Sequence, residues 1–279
     1  MQRTFARSAD SFVREFRLIS AFAFLGLCVT CVTACAPKRE SLSSEQRLAI
    51  YERANVQFAD AVLFKPAETG PTNIMGFRLA PLLLQEVVNT NQGGATPTVY
   101  FEEGKVQLNN RLHAQVTYLW NSPTSASAAD AKPTFQGIRI TLNASGSPVI
   151  WEVLANNSGG ELVFVAQSLE AAALKTFGQP LAGRRFAIES SLEIAPNAIV
   201  ARVIEDGPVP MGPIVHLNAG SRNVSTLICR CMPTQAKNLL ATETYELRPS
   251  AELNVLPAFD KPSQEAAMRL TRALRLPTF

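Results

Sequence analysis

The stretch that decides the fold runs from Phe135 to Gly178: FQGIRITLNASGSPVIWEVLANNSGGELVFVAQSLEAAALKTFG. It reads as three strands, Phe135 to Leu142, Val149 to Leu154 and Leu162 to Val165, separated by turn residues at Asn143 to Gly146 and Asn156 to Gly160. The second and third are near-continuous runs of Val, Ile, Trp, Leu and Phe, the composition of strands covered on both faces. Ser168 then stands where a helix cap is needed. Leu169, Ala172, Ala173 and Phe177 recur on one side, Glu170 sits in the first turn, Lys175 in the last, and Gly178 just past the end. A sheet followed by a helix that packs across it predicts an α+β fold: mainly antiparallel sheet packed by a few helices.

Moving toward the N-terminus, Leu112, Ala114, Val116, Tyr118 and Trp120 alternate with His113, Gln115 and Thr117, the period-2 pattern of a half-buried strand. Val99 to Phe101 and Lys105 to Leu108 are shorter strand candidates. Residues 121–134 are rich in Ser, Ala and Pro and mark a long surface loop or a boundary. Leu79 to Val88 predicts a short helix with Pro81 in its first turn, and Asn89 to Pro97 a loop. Ser43 and Gln46 have capping-box spacing, and Leu48, Tyr51, Phe58 and Val62 extend an amphipathic helix over 44–64 that Pro66 stops. Toward the C-terminus, strands are expected at Arg185 to Glu189, Ala198 to Ile204, Pro213 to Leu217, Val224 to Met232 and Glu243 to Leu247, with a closing helix from Glu265 to Leu276. Helices are thus expected at both ends.

The first 17 residues carry four arginines against Asp10 and Glu15, and from Leu18 to Ala34 no residue is charged. A basic leader, an apolar run and small residues before a cut form the grammar of an export signal. As an uncleaved helix the run would sit at the short end of the ~17–25 residues needed to span a bilayer. Val32-Thr33-Ala34-Cys35 resembles the lipobox of bacterial lipoproteins: an aliphatic residue, two small ones, then a cysteine. The resemblance implies cleavage between Ala34 and Cys35, a diacylglyceryl group on the Cys35 thiol, and commonly a third acyl chain such as palmitate on the new amino terminus. Ala36, where some lineages place an aspartate, implies retention at the outer membrane facing the periplasm in a Gram-negative host. The expected organisation is a signal peptide (1–34), a tether (35–44) and one α+β domain (45–279), or a helical part (45–97) ahead of a β-rich body (98–279).

Removing 34 of 279 residues leaves 245, enough for an ample core. Of 26 basic and 23 acidic side chains the leader takes four and two, so the remainder carries 22 against 21. That balance argues against nucleic acid as a partner, which would need concentrated Lys and Arg. Arg184-Arg185 and the series Arg269, Arg272, Arg275 read as solvated surface. Neither Gly-x-Ser-x-Gly nor His-Glu-x-x-His occurs, and Gly93-Gly94 and Gly159-Gly160 lack a phosphate-binding context, so no catalytic residue, metal ligand or cofactor is assigned. Asp206 to Pro213 is proline-rich, stiff and poor in amide donors, a recognition loop or a rigid crossover.

Three of the five cysteines, Cys28, Cys31 and Cys35, fall in the signal or the lipid anchor, which leaves Cys229 and Cys231. On a strand these two would share a face with Cα atoms roughly 6.5–7 Å apart, the outer limit for a disulfide. A buried apolar pair, a redox pair, a soft-metal site or a link to a partner's thiols are the readings open. A hairpin about 218–223 would set His216 near Ser225, roughly 13 Å along the strand from Cys229, too far for a shared metal. The leading functional expectation is a membrane-anchored, non-catalytic binding or structural module of the cell envelope. The alternative, a thiol-disulfide or metal-dependent activity at Cys229 and Cys231, requires a solvent-accessible pair beside a pocket. A third possibility, docking of an envelope protein partner on helix 44–64 or 263–276, requires an exposed apolar stripe there.

Overall fold

The computed structural model describes residues 41–67, 73–87, 96–122, 134–155, 160–219, 222–231, 236–253 and 264–279, and Ser41–Phe279 forms one compact unit. The signal, the lipobox and most of the tether lie outside the described residues. Helix α1 (Ser44–Arg53) leads into β1 (Phe58–Pro66), a four-residue helix α2 (Met75–Arg78) and β2 (Leu82–Glu86). Then come β3 (Thr98–Leu108), β4 (Arg111–Ser122), β5 (Thr134–Leu142), β6 (Pro148–Leu154) and β7 (Glu161–Ala166). Helix α3 (Gln167–Phe177) precedes β8 (Ala198–Ile204), β9 (Ile214–Leu217) and β10 (Val224–Ile228). Strand β11 (Ala236–Pro249) and helix α4 (Gln264–Ala273) complete the chain.

The eleven strands of the described residues form one sheet in the order β10-β9-β2-β1-β11-β3-β4-β5-β6-β7-β8. A sheet-dominated protein with few helices is what the sequence predicts, but the sheet is mixed and not plainly antiparallel. β3 to β7 form the expected antiparallel run, whereas β1 with β11, β11 with β3, β2 with β9 and β7 with β8 are parallel. The parallel pairs have three sources: β7 returns to β8 through α3, β9 comes back to lie beside β2, and β11 inserts between β1 and β3 from far along the chain. The sheet curls until its edge strands β8 and β10 touch, nearly closing a barrel, and α1 lies against both. Arg202 of β8 donates to the Ala54 carbonyl at the end of α1 across this seam.

Helix α1 has the expected capping box, with Ser43 and Gln46 each bonded to the other's backbone N–H. It ends at Arg53, eleven residues before the predicted Phe64. Phe58 and Phe64, read as helical positions, are buried positions of β1, whose ladder with β11 supplies hydrogen bonds that an isolated helix turn would have to find locally. Leu82–Glu86 is likewise a strand, recruited between β1 and β9, and not the helix that Pro81 suggested. Around Glu189 only an isolated bridge to Leu274 takes the place of the predicted strand.

The main core gathers Phe64, Leu83, Tyr118, Trp120, Ile138, Trp151, Phe164 and Val200, among others. Each fully buried aliphatic or Phe side chain of this kind is worth roughly 1.5–3 kcal/mol. The alternation in β4 does not mean polar-out. Gln115 and Thr117 are buried, and Leu112 is 65% exposed. The polar face is internal because α4 and the C-terminal tail cover it: Phe279 stacks on His113 at 4.5 Å, and Arg269 reaches Glu152 at 3.1 Å. Beneath them Gln115 donates to Thr141 (2.8 Å), and Arg139 to Thr117 (3.3 Å) with Glu152 at 3.8 Å. Arg269, half-exposed on α4, is therefore tied to a buried network and is not a free surface charge.

Residues 178–197, which lack regular structure, are held by ions. Arg184, expected on the surface, is buried and donates to four carbonyls: Ser190 (2.6 Å), Ser191 (3.1 Å), Ala195 (2.5 Å) and Ala198 (2.6 Å). Its partner Glu189 lies 3.6 Å away and accepts the backbone N–H groups of Arg185, Phe186 and Val200. Burial pushes the Glu189 carboxyl up, while these three N–H groups and Arg184 draw it back. Glu170 of α3 takes the Ala187 and Ile188 N–H groups in the same way.

Candidate functional site

A cleft of about 360 Å³ opens where the turn after β5, the start of β6, the N-terminus of α3, the β8–β9 connection and the end of β10 converge. Trp151, Met211, Val209 and Ile228 give it apolar walls, and Ser147, Ser168, Asp206 and Arg230 give it polar ones. Each segment is fixed before any ligand arrives. The Asn143 side chain closes its own turn by accepting the Ser145 and Ser147 N–H groups, and Gly146 supplies the positive φ of 80° that the turn needs.

The β8–β9 connection is pinned at both ends. Asp206 accepts the Ser168 N–H and Oγ–H, each at 2.8 Å. Ser168 is thus not the cap of α3 as its position predicted: the helix starts two residues earlier, at Gln167 after Ala166, and a carboxylate from a distant loop accepts the Ser168 N–H. At the other end Gly212 lies so close to α2's trailing segment that a Cβ would come within 2.1 Å of the Leu79 carbonyl oxygen. Only glycine fits there. The Pro213 carbonyl then accepts the Leu82 N–H at 2.9 Å and starts the β2–β9 pairing.

The floor beneath this loop is the segment from Gly76 to Pro81, whose carbonyls are taken by two buried tyrosines and a half-buried arginine. Tyr118 donates to Gly76 (2.8 Å), Tyr245 to Pro81 (2.7 Å), and Arg230 to Ala80. Burial pushes both tyrosine hydroxyls well above their ordinary range and lowers the Arg230 guanidinium, with the two tyrosines acting against that fall.

Cys229 and Cys231 flank Arg230 and are joined as a disulfide. The strand carrying them ends at Ile228, four residues short of the predicted Met232. The chain turns there, so the Cα atoms are 5.2 Å apart and not at the strand spacing. Cys229 is buried against the cleft, where a Cβ on Gly207 would lie 3.2 Å from its Sγ. Cys231 is exposed, and its N–H points to the Cys229 Sγ at 3.1 Å.

The expected β9–β10 hairpin forms, with a register irregularity that sets His216 opposite Thr226 and not Ser225. His216 is fully buried, its ring 5.1 Å from Phe58, and neither nitrogen has a hydrogen-bond partner among the described residues. His113 serves a different place, bonded to the Leu142 carbonyl at 3.0 Å. Among the described residues no three His, Cys, Asp or Glu side chains converge as metal ligands. Of the two helices considered for docking, α4 buries Ala266, Leu270 and Ala273 and exposes Met268, while α1 buries none of its residues and exposes Leu48.

The cleft itself had no signature in sequence beyond the stiff Asp206–Pro213 loop, because its walls come from four separated segments. Compared with models of protein families, with curated proteins and with solved structures, the chain matches none.

Proposed function

We propose that this chain is an extracytoplasmic lipoprotein, held at a membrane by acyl groups on Cys35, whose folded part is a binding module acting through the cleft beside α3. The observation that carries the binding reading is a pre-formed hollow of about 360 Å³ whose mouth mixes apolar and polar groups. That volume lies in the range of small-molecule and peptide-side-chain sites, and its walls are tied to one another by hydrogen bonds such as those from Ser168 to Asp206.

The anchor is tested by the intact mass of the protein extracted from its own host's membranes. Loss of residues 1–34 with added acyl mass is expected, and an uncleaved, unacylated chain would refute it. The cleft is tested through Trp151, one of only two tryptophans and part of the wall. In a Trp120→Phe background, energy transfer from Trp151 to the apolar dye anilinonaphthalene sulfonate should saturate at one dye per chain. Met211→Asp should weaken it at least tenfold. Unsaturable transfer, or transfer indifferent to that carboxylate, would remove the cleft from consideration.

A further inference from the structure

We infer that Cys229 and Cys231 are a thiol–disulfide exchange centre at the edge of the cleft, one that oxidises a dithiol presented by a protein or peptide. The inference rests on the extracytoplasmic placement proposed above, since disulfides persist where thiols are not kept reduced. A disulfide that stabilises a fold ties distant parts of the chain. This one spans a single residue, so it removes little entropy from the unfolded state, and stability does not account for it. Its two sulfurs are also unequal in the way exchange requires. Cys231 is exposed to an incoming thiol, while Cys229 is buried in the wall of a cleft that can seat the side chains flanking that thiol. Gly207 packs so close to the Cys229 sulfur that a Cβ there would lie 3.2 Å from it, and the Cys231 N–H is aimed at that sulfur.

In the reaction a partner thiolate attacks the Cys231 Sγ and forms a mixed disulfide. The Cys229–Cys231 bond breaks, and its electron pair leaves on the Cys229 Sγ, where the Cys231 N–H favours the thiolate. The partner's second thiolate attacks its own sulfur in the mixed disulfide and releases Cys231. The partner has lost two electrons and gained a disulfide. Cys229 and Cys231 have gained those electrons and the two protons given up by the partner's thiols.

The test equilibrates the full chain in a series of reduced and oxidised glutathione mixtures, then alkylates it under denaturation and reads the peptide carrying Cys229 and Cys231 by mass. The pair is expected to pass from oxidised to reduced within the series. In Cys229→Ser, Cys231 should capture glutathione from its disulfide at least tenfold faster than Cys229 does in Cys231→Ser. A pair that stays oxidised across the whole series overturns the proposal, as do equal capture rates. The first measurement uses the unaltered chain, so it stands even if a serine variant misfolds. Neither the acyl mass on Cys35 nor dye transfer from Trp151 depends on these thiols, so a failure here is distinct from a failure of the anchor or the cleft.

Discussion

Arg184→Ala is expected to destabilise the protein by about 3–5 kcal/mol, the range seen when one partner of a buried ion pair is removed. The substitution strands Glu189 without its cation and removes the guanidinium from four carbonyls, of which those of Ser191 and Ala195 keep a backbone N–H donor. Lysine should recover less than half of the loss, because an ammonium has three donors and no planar fork to reach four separated oxygens. Urea unfolding followed by tryptophan fluorescence measures both variants. A loss below about 1 kcal/mol for the alanine would mean that residues 178–197 are held mainly by the apolar contacts of Ala187 and Ile188.

The second large effect is a pH dependence with its origin in His216. Burial, aided by the nearby Arg202 charge, lowers its pKa from 6.5 to about 4, so the folded protein keeps the ring neutral. The unfolded chain begins to take up a proton near pH 6.5, and the folded one only near pH 4. Between those values the unfolded state binds more protons, and stability therefore falls as pH falls. The full contribution is present above pH 6.5 and is gone by about pH 4, a loss of about 3 kcal/mol. His216→Phe should remove this part of the slope. It should also cost little at pH 7, since neither ring nitrogen has a hydrogen-bond partner among the described residues. Urea midpoints for both proteins at pH 7 and pH 4.5 decide the matter, and parallel declines would exclude His216 as the source.

How far the sequence could be read follows from how far apart the interacting residues are. Strands β5, β6 and β7 and the body of α3 were legible because each turn, cap and apolar run lies within a few residues of what it serves, as with Asn143, Gly146 and Gly178. Helix α1 was legible at its start, where Ser43 and Gln46 act locally, and not at its end, where Phe58 pairs with a strand that begins at Ala236. The same distance hid the role of Asp206 at α3 and the burial of Arg184, both charged residues whose partners lie elsewhere. In β4 the alternation was correct, but its meaning depended on a C-terminal tail that no local pattern announces. The pairing of Cys229 with Cys231 turned on one backbone detail, the end of β10 at Ile228, and strand boundaries are the part of a pattern that propensity specifies least.

Strand β11 has one more consequence. It is bonded in parallel to β1 on one side and to β3 on the other, with Asp60 meeting Asn238 across 178 positions of chain. Among the described residues the two portions of the sheet that it joins have no other ladder between them. A chain emerging N-terminus first, whether from a ribosome or through a membrane, must therefore hold β1 and β3 apart, with raw edges facing one another, until β11 itself arrives. Assembly of this sheet is a late event of high contact order and slow by topology alone. Until then the polypeptide would present the two strand edges that escorting chaperones are suited to cover.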